Sequence, residues 1–217
     1  LREMLLNNIQ PNEISYSSVI NAYAKSSLPL EAERMLREMI SCNIKPNHIT
    51  YSTLINAYAQ ASLPLEAERV LCELISLGLE VNVIHYTTLI NAYAKSTQPT
   101  ESERILREML LNNIQPNEIS YSSVINAYAK SSLPLEAERM LREMISCNIK
   151  PNHITYSTLI NAYAQASLPL EAERVLCELI SLGLEVNVIH YTTLINAYAK
   201  STQPTESERI LREMLLN

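Results

Sequence analysis

A chain that repeats itself at a fixed short interval has few folds open to it. Here Asn-Ala-Tyr-Ala stands at 21–24, 56–59, 91–94, 126–129, 161–164 and 196–199, a period of 35 residues. Periods of roughly 20 to 50 residues belong to stacked arrays, in which each unit is one supersecondary element too small to bury its own apolar face. In register, the units run 13–47, 48–82, 83–117, 118–152 and 153–187, starting at Glu13, His48, Val83, Glu118 and His153. Residues 1–12 read as the tail of a preceding unit, and 188–217, from Val188, as an incomplete last one. A longer regularity is superposed, because residues 1–112 are identical to residues 106–217. Drift erases such identity, which points to an engineered array, a very recent duplication or a tiled three-unit block. Both ends fall inside helical pattern without caps, which predicts a longer working molecule.

Within one unit, Tyr16, Val19, Ile20, Tyr23 and Ala24 recur at the spacing of a helix face. Pro29 follows a polar break at Ser26 and Ser27 and suits the first turn of a second helix, where its missing N–H breaks no bond. That helix carries Leu30, Ala32, Met35, Leu36 and Met39, with Glu31 and Glu33 near its positive end. Asn43, Gly78 and Asn113 share the position after it and tolerate the left-handed conformation of a C-cap, and Pro46 and Pro116 then close the hairpin. Two glycines, ten prolines and no Phe or Trp argue against a β-rich fold, whose turns draw on glycine. The predicted fold is all-α, a solenoid of stacked helix-turn-helix hairpins.

With 47% hydrophobic residues the chain has ample material for a core and is too apolar to be disordered. No run approaches 18 consecutive apolar residues and no charged-then-apolar leader is visible, so neither a membrane span nor a targeting segment is expected. Cys42, Cys72, Cys147 and Cys177 form no C-x-x-C pair and lack metal-ligand spacing; they read as small helix residues in a reducing compartment. His48, His85, His153 and His190 stand at two different unit positions with no paired nucleophile, no H-E-x-x-H and no glycine-rich phosphate loop. Neither an enzyme nor a metal or cofactor site is expected.

A net charge of −6 and an isoelectric point near 5.3 would count against a polyanionic partner, but the distribution reverses that reading. The first helix is read as free of Asp and Glu in every copy and ends in Lys25, Lys95, Lys130 and Lys200, with Gln60 and Gln165 in the other two copies. The carboxylates gather on the second helix, as in Glu31, Glu33 and Glu38, interleaved with Arg34 and Arg37 at spacings that permit i,i+3 and i,i+4 pairs. The second helix is therefore predicted to be a solvated outer face. The first helix, rich in Ser, Thr, Asn and Tyr, becomes a mildly positive concave side along which a polyanion could lie. Taken alone, the lysines are equally well explained as complements of helix C-termini.

These residues resemble pentatricopeptide repeats of the plain 35-residue type. The resemblance rests on the period, on I-S-Y-S-S-V-I-N-A-Y-A-K at 14–25, on E-A-E-R-M-L-R-E-M at 31–39 and on I-K-P-N at 44–47, and it covers the whole chain. It implies a right-handed superhelical α-solenoid that binds single-stranded RNA, one base per repeat through two or three side chains. It also implies transcripts of mitochondrion or chloroplast, with no cofactor, metal or membrane partner. The usual glycine between the two helices is replaced by Ser27, Ser62 and Thr97, and Pro29, Pro64 and Pro99 stiffen that turn.

In the family the fifth and last residues of a repeat face the base, and the second packs against its plane. Carried onto this sequence, the fifth residues are Ser17, Ser52, Thr87, Ser122, Ser157 and Thr192, and the last are Asn47, Asn82, Asn117, Asn152 and Asn187. The second residues are Ile14, Ile49, Ile84, Ile119, Ile154 and Ile189. The lysines would touch phosphates. Without the resemblance, a Ser or Thr near a helix start is a local cap, an Asn after Pro is a turn residue, and the same Ile suits a buried position. In the family a hydroxyl paired with Asn implies adenine, so the implied target is an adenine-rich run of at least five bases. Adenine offers an N6 donor and ring-nitrogen acceptors that a hydroxyl and an amide can both satisfy.

The Tyr23 series is predicted to be core rather than a stacking platform, because it shares a phase with Tyr16, Val19 and Ile20. A tetratricopeptide-like scaffold that binds peptides is the alternative function. Its usual period is 34, with a small residue where Ile20, Ile55 and Ile90 stand here.

Overall fold

The computed structural model describes residues 10–216; the reading of residues 1–9 as the end of a preceding unit lies outside them. Among the described residues there are twelve α-helices and no strand. The first helices of the hairpins are α1 (Glu13–Lys25), α3 (His48–Gln60), α5 (Val83–Lys95), α7 (Glu118–Lys130), α9 (His153–Gln165) and α11 (Val188–Lys200). The second helices are α2 (Pro29–Ser41), α4 (Pro64–Ser76), α6 (Pro99–Leu111), α8 (Pro134–Ser146), α10 (Pro169–Ser181) and α12 (Pro204–Leu216). The chain divides into two compact units, Leu1–Ser96 with Arg104–Gln115, and Thr97–Glu103 with Pro116–Asn217. In the first, α1 packs on α2, α3 on α4, and α1, α3 and α5 lie side by side in order. In the second, α7 on α8, α9 on α10 and α11 on α12 repeat the arrangement, with α7, α9 and α11 side by side.

Local sequence explains where each helix begins and ends. Asn12, Asn47, Asn82, Asn117, Asn152 and Asn187 are the N-caps of the first helices, and each side chain accepts a backbone N–H from the first turn. Helix α1 ends in a Schellman turn: Ser27 N–H donates to the Ala24 carbonyl at 3.1 Å and Leu28 N–H to that of Tyr23 at 3.0 Å. Ser27 is left-handed at φ +58°, as are Ser62, Thr97, Ser132, Ser167 and Thr202. A non-glycine residue pays about 1 kcal/mol for that conformation. The turn thus forms with serine or threonine where the resemblance implied glycine. Second helices start with proline at N1 and close the same way, with Asn43 and Asn113 at φ +58° and Gly78 at +67°.

The core is a continuous stripe from both helices of each hairpin, for example Tyr16, Ile20, Ala32, Leu36 and Met39. Tyr58, Tyr93, Tyr128, Tyr163 and Tyr198, from the Asn-Ala-Tyr-Ala repeats, are buried, while Tyr23 is half-buried. Each of those five buried rings donates its hydroxyl to a glutamate of the second helix one hairpin earlier: Tyr58 to Glu33, Tyr93 to Glu68, Tyr128 to Glu103, Tyr163 to Glu138 and Tyr198 to Glu173.

The second helices are more than the solvated face expected from sequence. Glu33 also accepts from Arg69 at 2.6 Å and Arg37 at 3.0 Å, and Arg37 reaches on to Glu73 at 2.6 Å. The second unit repeats this with Arg174 and Arg142 on Glu138, and Arg142 on Glu178. Burial would raise the carboxyls of Glu33 and Glu138, but hydrogen bonds from tyrosine and arginine outweigh it and hold both below the usual carboxylate range. The arginines and glutamates therefore tie one hairpin to the next. The four cysteines are free and exposed.

Candidate nucleic-acid interface

Within each unit the side-by-side first helices carry the residues expected to read bases. Capping fixes the orientation of each closing amide: Asn47 Oδ1 accepts Thr50 N–H at 3.0 Å, Asn152 Oδ1 accepts Thr155 N–H at 2.9 Å, and Asn82 Oδ1 accepts Ile84 N–H at 3.0 Å. With Oδ1 on a backbone donor, Nδ2 is left as the donor end of the amide. In two copies it donates to a carboxylate, Asn47 to Glu13 and Asn152 to Glu118. This corrects the reading of the first helix as free of acidic residues, because Glu13 and Glu118 open α1 and α7.

The fifth-position hydroxyls are half-buried except Thr192, which is exposed. Ser52, Ser122 and Ser157 each donate to the carbonyl four residues earlier, on His48, Glu118 and His153, at 2.6 Å. The local-cap reading and the base-reading assignment are therefore compatible. Each hydroxyl's proton is held by its own helix, which leaves a lone pair to offer.

Between the fifth and last residues lies a third group not singled out in the sequence, the third residue of the following hairpin. Thr50, His85, Ser120, Thr155 and His190 are at most 2% exposed. Thr50 Oγ1 is 3.2 Å from Ser17 Oγ and 3.2 Å from Asn47 Oδ1. His85 Nε2 is 2.6 Å from Ser52 Oγ, and its Nδ1 accepts Asn82 N–H at 3.1 Å. Burial, with His48 nearby, lowers the pKa of His85; burial chiefly lowers that of His190, with His153 adding to it. The only sequence signal was the recurrence of Thr, Ser or His at this register.

The second-position isoleucines are not buried. Ile14 is 74% exposed, Ile84 65% and Ile189 70%, and the least exposed, Ile49, is 58%. Ile119 and Ile154 fall in the same range. Apolar side chains this exposed contribute little to packing within the hairpins. A groove of about 690 Å³ in the first unit is lined by Lys25, Ile49, Ser52, Asn82, Ile84 and His85. A matching one of about 450 Å³ in the second is lined by Lys130, Ile154, Ser157, Ile189 and His190. Lys25, Lys95, Lys130 and Lys200 are exposed in the last turns of their helices. Among the described residues no cluster of three or more His, Cys, Asp or Glu could hold a metal ion, and no helix is long and apolar enough to cross a membrane.

Comparison with known proteins places this geometry. A model of the PPR repeat family matches residues 11–60, 81–130 and 119–165, and a PPR repeat model matches 49–79, 154–184 and 189–217. No curated protein matches the sequence. Among solved structures, the pentatricopeptide repeat protein PPR10 from maize superposes with a TM-score of 0.69 at 22% identity, over 99% of this chain and 35% of that one. The PPR domain of Arabidopsis thaliana protein-only RNase P 1, in complex with tRNA, gives 0.72 at 15% identity, over 86% of this chain and 98% of that one. Nuclear proteinaceous RNase P 2 from A. thaliana gives 0.73 at 14% identity, over 86% of this chain and 42% of that one. At these identities the likeness is one of fold.

Proposed function

Because the chain belongs to the PPR repeat family, we propose that it binds single-stranded RNA along the first helices of its hairpins, one base per 35-residue repeat, in a run rich in adenine. The observation that carries the reading is the fixed polarity of the paired side chains. Each asparagine has Oδ1 committed to a cap, which leaves Nδ2 as its donor end, with one Nδ2 proton on Glu13 or Glu118 in Asn47 and Asn152, and Ser52, Ser122 and Ser157 have their protons on helix carbonyls. The pair thus offers one acceptor and one donor. Adenine's N6 amine and a ring nitrogen complement it, whereas guanine presents an acceptor and donors in the opposite order. Cytosine shares adenine's polarity, and the choice of the purine rests on the family pairing of a hydroxyl with Asn.

In this reading Ile14, Ile49, Ile84, Ile119, Ile154 and Ile189 wedge against the bases, and Lys25, Lys95, Lys130 and Lys200 contact phosphates. Binding is passive, and the repeat units are those beginning at Glu13, His48, Val83, Glu118, His153 and Val188. Family membership supports an organellar transcript, in mitochondrion or chloroplast, as the target.

The test converts the donor end of the amide into an acceptor. Asn82→Asp with Asn187→Asp should move preference at the two matching nucleotides from adenine toward guanine, by about 1–3 kcal/mol per position. The residue 34 places upstream of each is His48 or His153, which tolerates the new charge. The same change at Asn47 and Asn152 sets a carboxylate against Glu13 and Glu118 and should lower stability as well. Adenine preference unchanged in the array carrying both substitutions, N82D and N187D, would refute the assignment.

A further inference from the structure

The buried third residue of each following hairpin touches the base-reading hydroxyl, the cap of the closing asparagine, or both; it is at most 2% exposed, although His85 and His190 border the grooves. It occurs in two chemical forms, a hydroxyl (Thr50, Ser120 and Thr155) and an imidazole (His85 and His190). In one, Thr50 and Thr155 each stand 3.2 Å from an Asn Oδ1 and lie 3.2 and 3.4 Å from Ser17 and Ser122. In the other, His85 and His190 stand 2.6 and 2.5 Å from Ser52 and Ser157.

The two forms differ in where protons can go. A threonine hydroxyl rotates, so Thr50 donates either to Asn47 Oδ1 or back to Ser17, and the direction of that small network is reversible. A histidine between these neighbours has no such choice. Asn82 N–H can only donate, so His85 Nδ1 must be the acceptor and the ring proton sits on Nε2, aimed at Ser52 Oγ. Ser52 in turn donates to the His48 carbonyl. Its oxygen is held from two sides and keeps one lone pair for the groove. His190 does the same for Ser157, through Asn187 N–H at 3.1 Å and the His153 carbonyl.

Resting on the base-reading assignment above, we infer that the third residue of the following repeat is a specificity-setting positioning residue, and that His85 and His190 make Ser52 and Ser157 obligate hydrogen-bond acceptors. Repeats followed by histidine should reject a base that presents an acceptor, such as guanine O6, more strongly than repeats followed by threonine. The device is also sensitive to acid. A protonated imidazole has a donor on both nitrogens, so its Nδ1–H would face Asn82 N–H and the ring would have to leave its place. The charged and titratable groups around His85 are His48, Glu80 and, across the groove, Lys25; around His190 they are His153 and, across its groove, Lys130.

The test exchanges the two natural forms, which keeps a side chain already accommodated at this register: His85→Thr with His190→Thr, and the reverse pair Thr50→His with Thr155→His. Fluorescence anisotropy is read on adenine-run RNAs carrying a single guanine opposite one chosen repeat, over a pH series descending from 7.5 past the free-imidazole range, because burial lowers the pKa of both rings. The His→Thr array should lose about fivefold of adenine-over-guanine discrimination opposite Ser52 and Ser157, the value of one hydrogen bond, and keep it opposite Ser17 and Ser122. The Thr→His array should gain a similar factor opposite Ser17 and less opposite Ser122, whose proton already lies on the Glu118 carbonyl at 2.6 Å. Acid should reduce the discrimination only where histidine stands. A purely structural role would alter affinity for all these RNAs alike, and an unchanged ratio overturns the inference while leaving base reading intact. Nitrogen NMR of the imidazoles needs no RNA: Nε2–H tautomers support the inference and Nδ1–H tautomers overturn it. If the parent array binds no RNA, base reading fails and takes this inference with it.

Discussion

Glu33, like its counterpart Glu138, is a member of the arginine-glutamate ladder whose removal should be costly. Its carboxylate is 17% exposed and accepts from Tyr58, Arg69 and Arg37. The arginines are 45% and 48% exposed, so losing their pairing costs about 0.2–1 kcal/mol each. Tyr58 is fully buried, and its hydroxyl without an acceptor adds about 1–3 kcal/mol. Glu33→Ala, which leaves no acceptor for Tyr58, should therefore lower stability by about 2–4 kcal/mol, read as the urea midpoint of the helical circular dichroism signal. Glu31→Gln, whose partner Arg34 is 60% exposed, should stay within about 0.5 kcal/mol. Adding Tyr58→Phe removes the orphaned donor, so the double variant should be more stable than the sum of the singles by about 1 kcal/mol. Simple additivity would refute the argument that the buried hydroxyl dominates. Because the Glu33 carboxyl sits below its unfolded value, this stabilisation should be complete above the unfolded pKa and disappear as the pH falls through the folded one.

Three further outcomes follow from the same geometry. Four lysine contacts predict that log affinity for single-stranded RNA falls with log salt at a slope of about −3, taking about 0.7 per phosphate; a slope near zero removes the lysines from the interface. Ser27→Gly and Ser132→Gly, at φ +58°, should each raise stability by about 0.5–1 kcal/mol in thermal or urea melts, and destabilisation would show that the serines contribute something besides the turn. Ile49→Ala and Ile154→Ala should weaken RNA binding while changing stability by less than about 0.5 kcal/mol, since a buried isoleucine would cost about 2–5.

The hairpins were legible because a 35-residue period repeats every local signal: Pro29 at a first turn, Asn43 and Gly78 in left-handed caps, and the Tyr58 series on the apolar face all stand as their residue types imply. What escaped depended on distances along the chain that no helix spacing samples. Arg37 and Glu73 are 36 residues apart, so the second helices read as solvated when they are in fact laced together. Glu13 was missed as part of the first helix because the boundary rests on the Asn12 cap, one residue earlier. Thr50 and His85 look like ordinary polar residues of a helix start; their burial between two neighbouring helices appears only once the hairpins are stacked.

The central claim, that paired hydroxyl and amide groups read adenine in single-stranded RNA, is tested most directly by anisotropy of labelled ten-base homopolymers of A, U, G and C at moderate salt. The account predicts tight binding to the adenine oligomer and at least tenfold weaker binding to the others, the equivalent of about 1.4 kcal/mol. Equal binding to all four would contradict the base-reading pairs, and no binding to any would favour a peptide-binding scaffold.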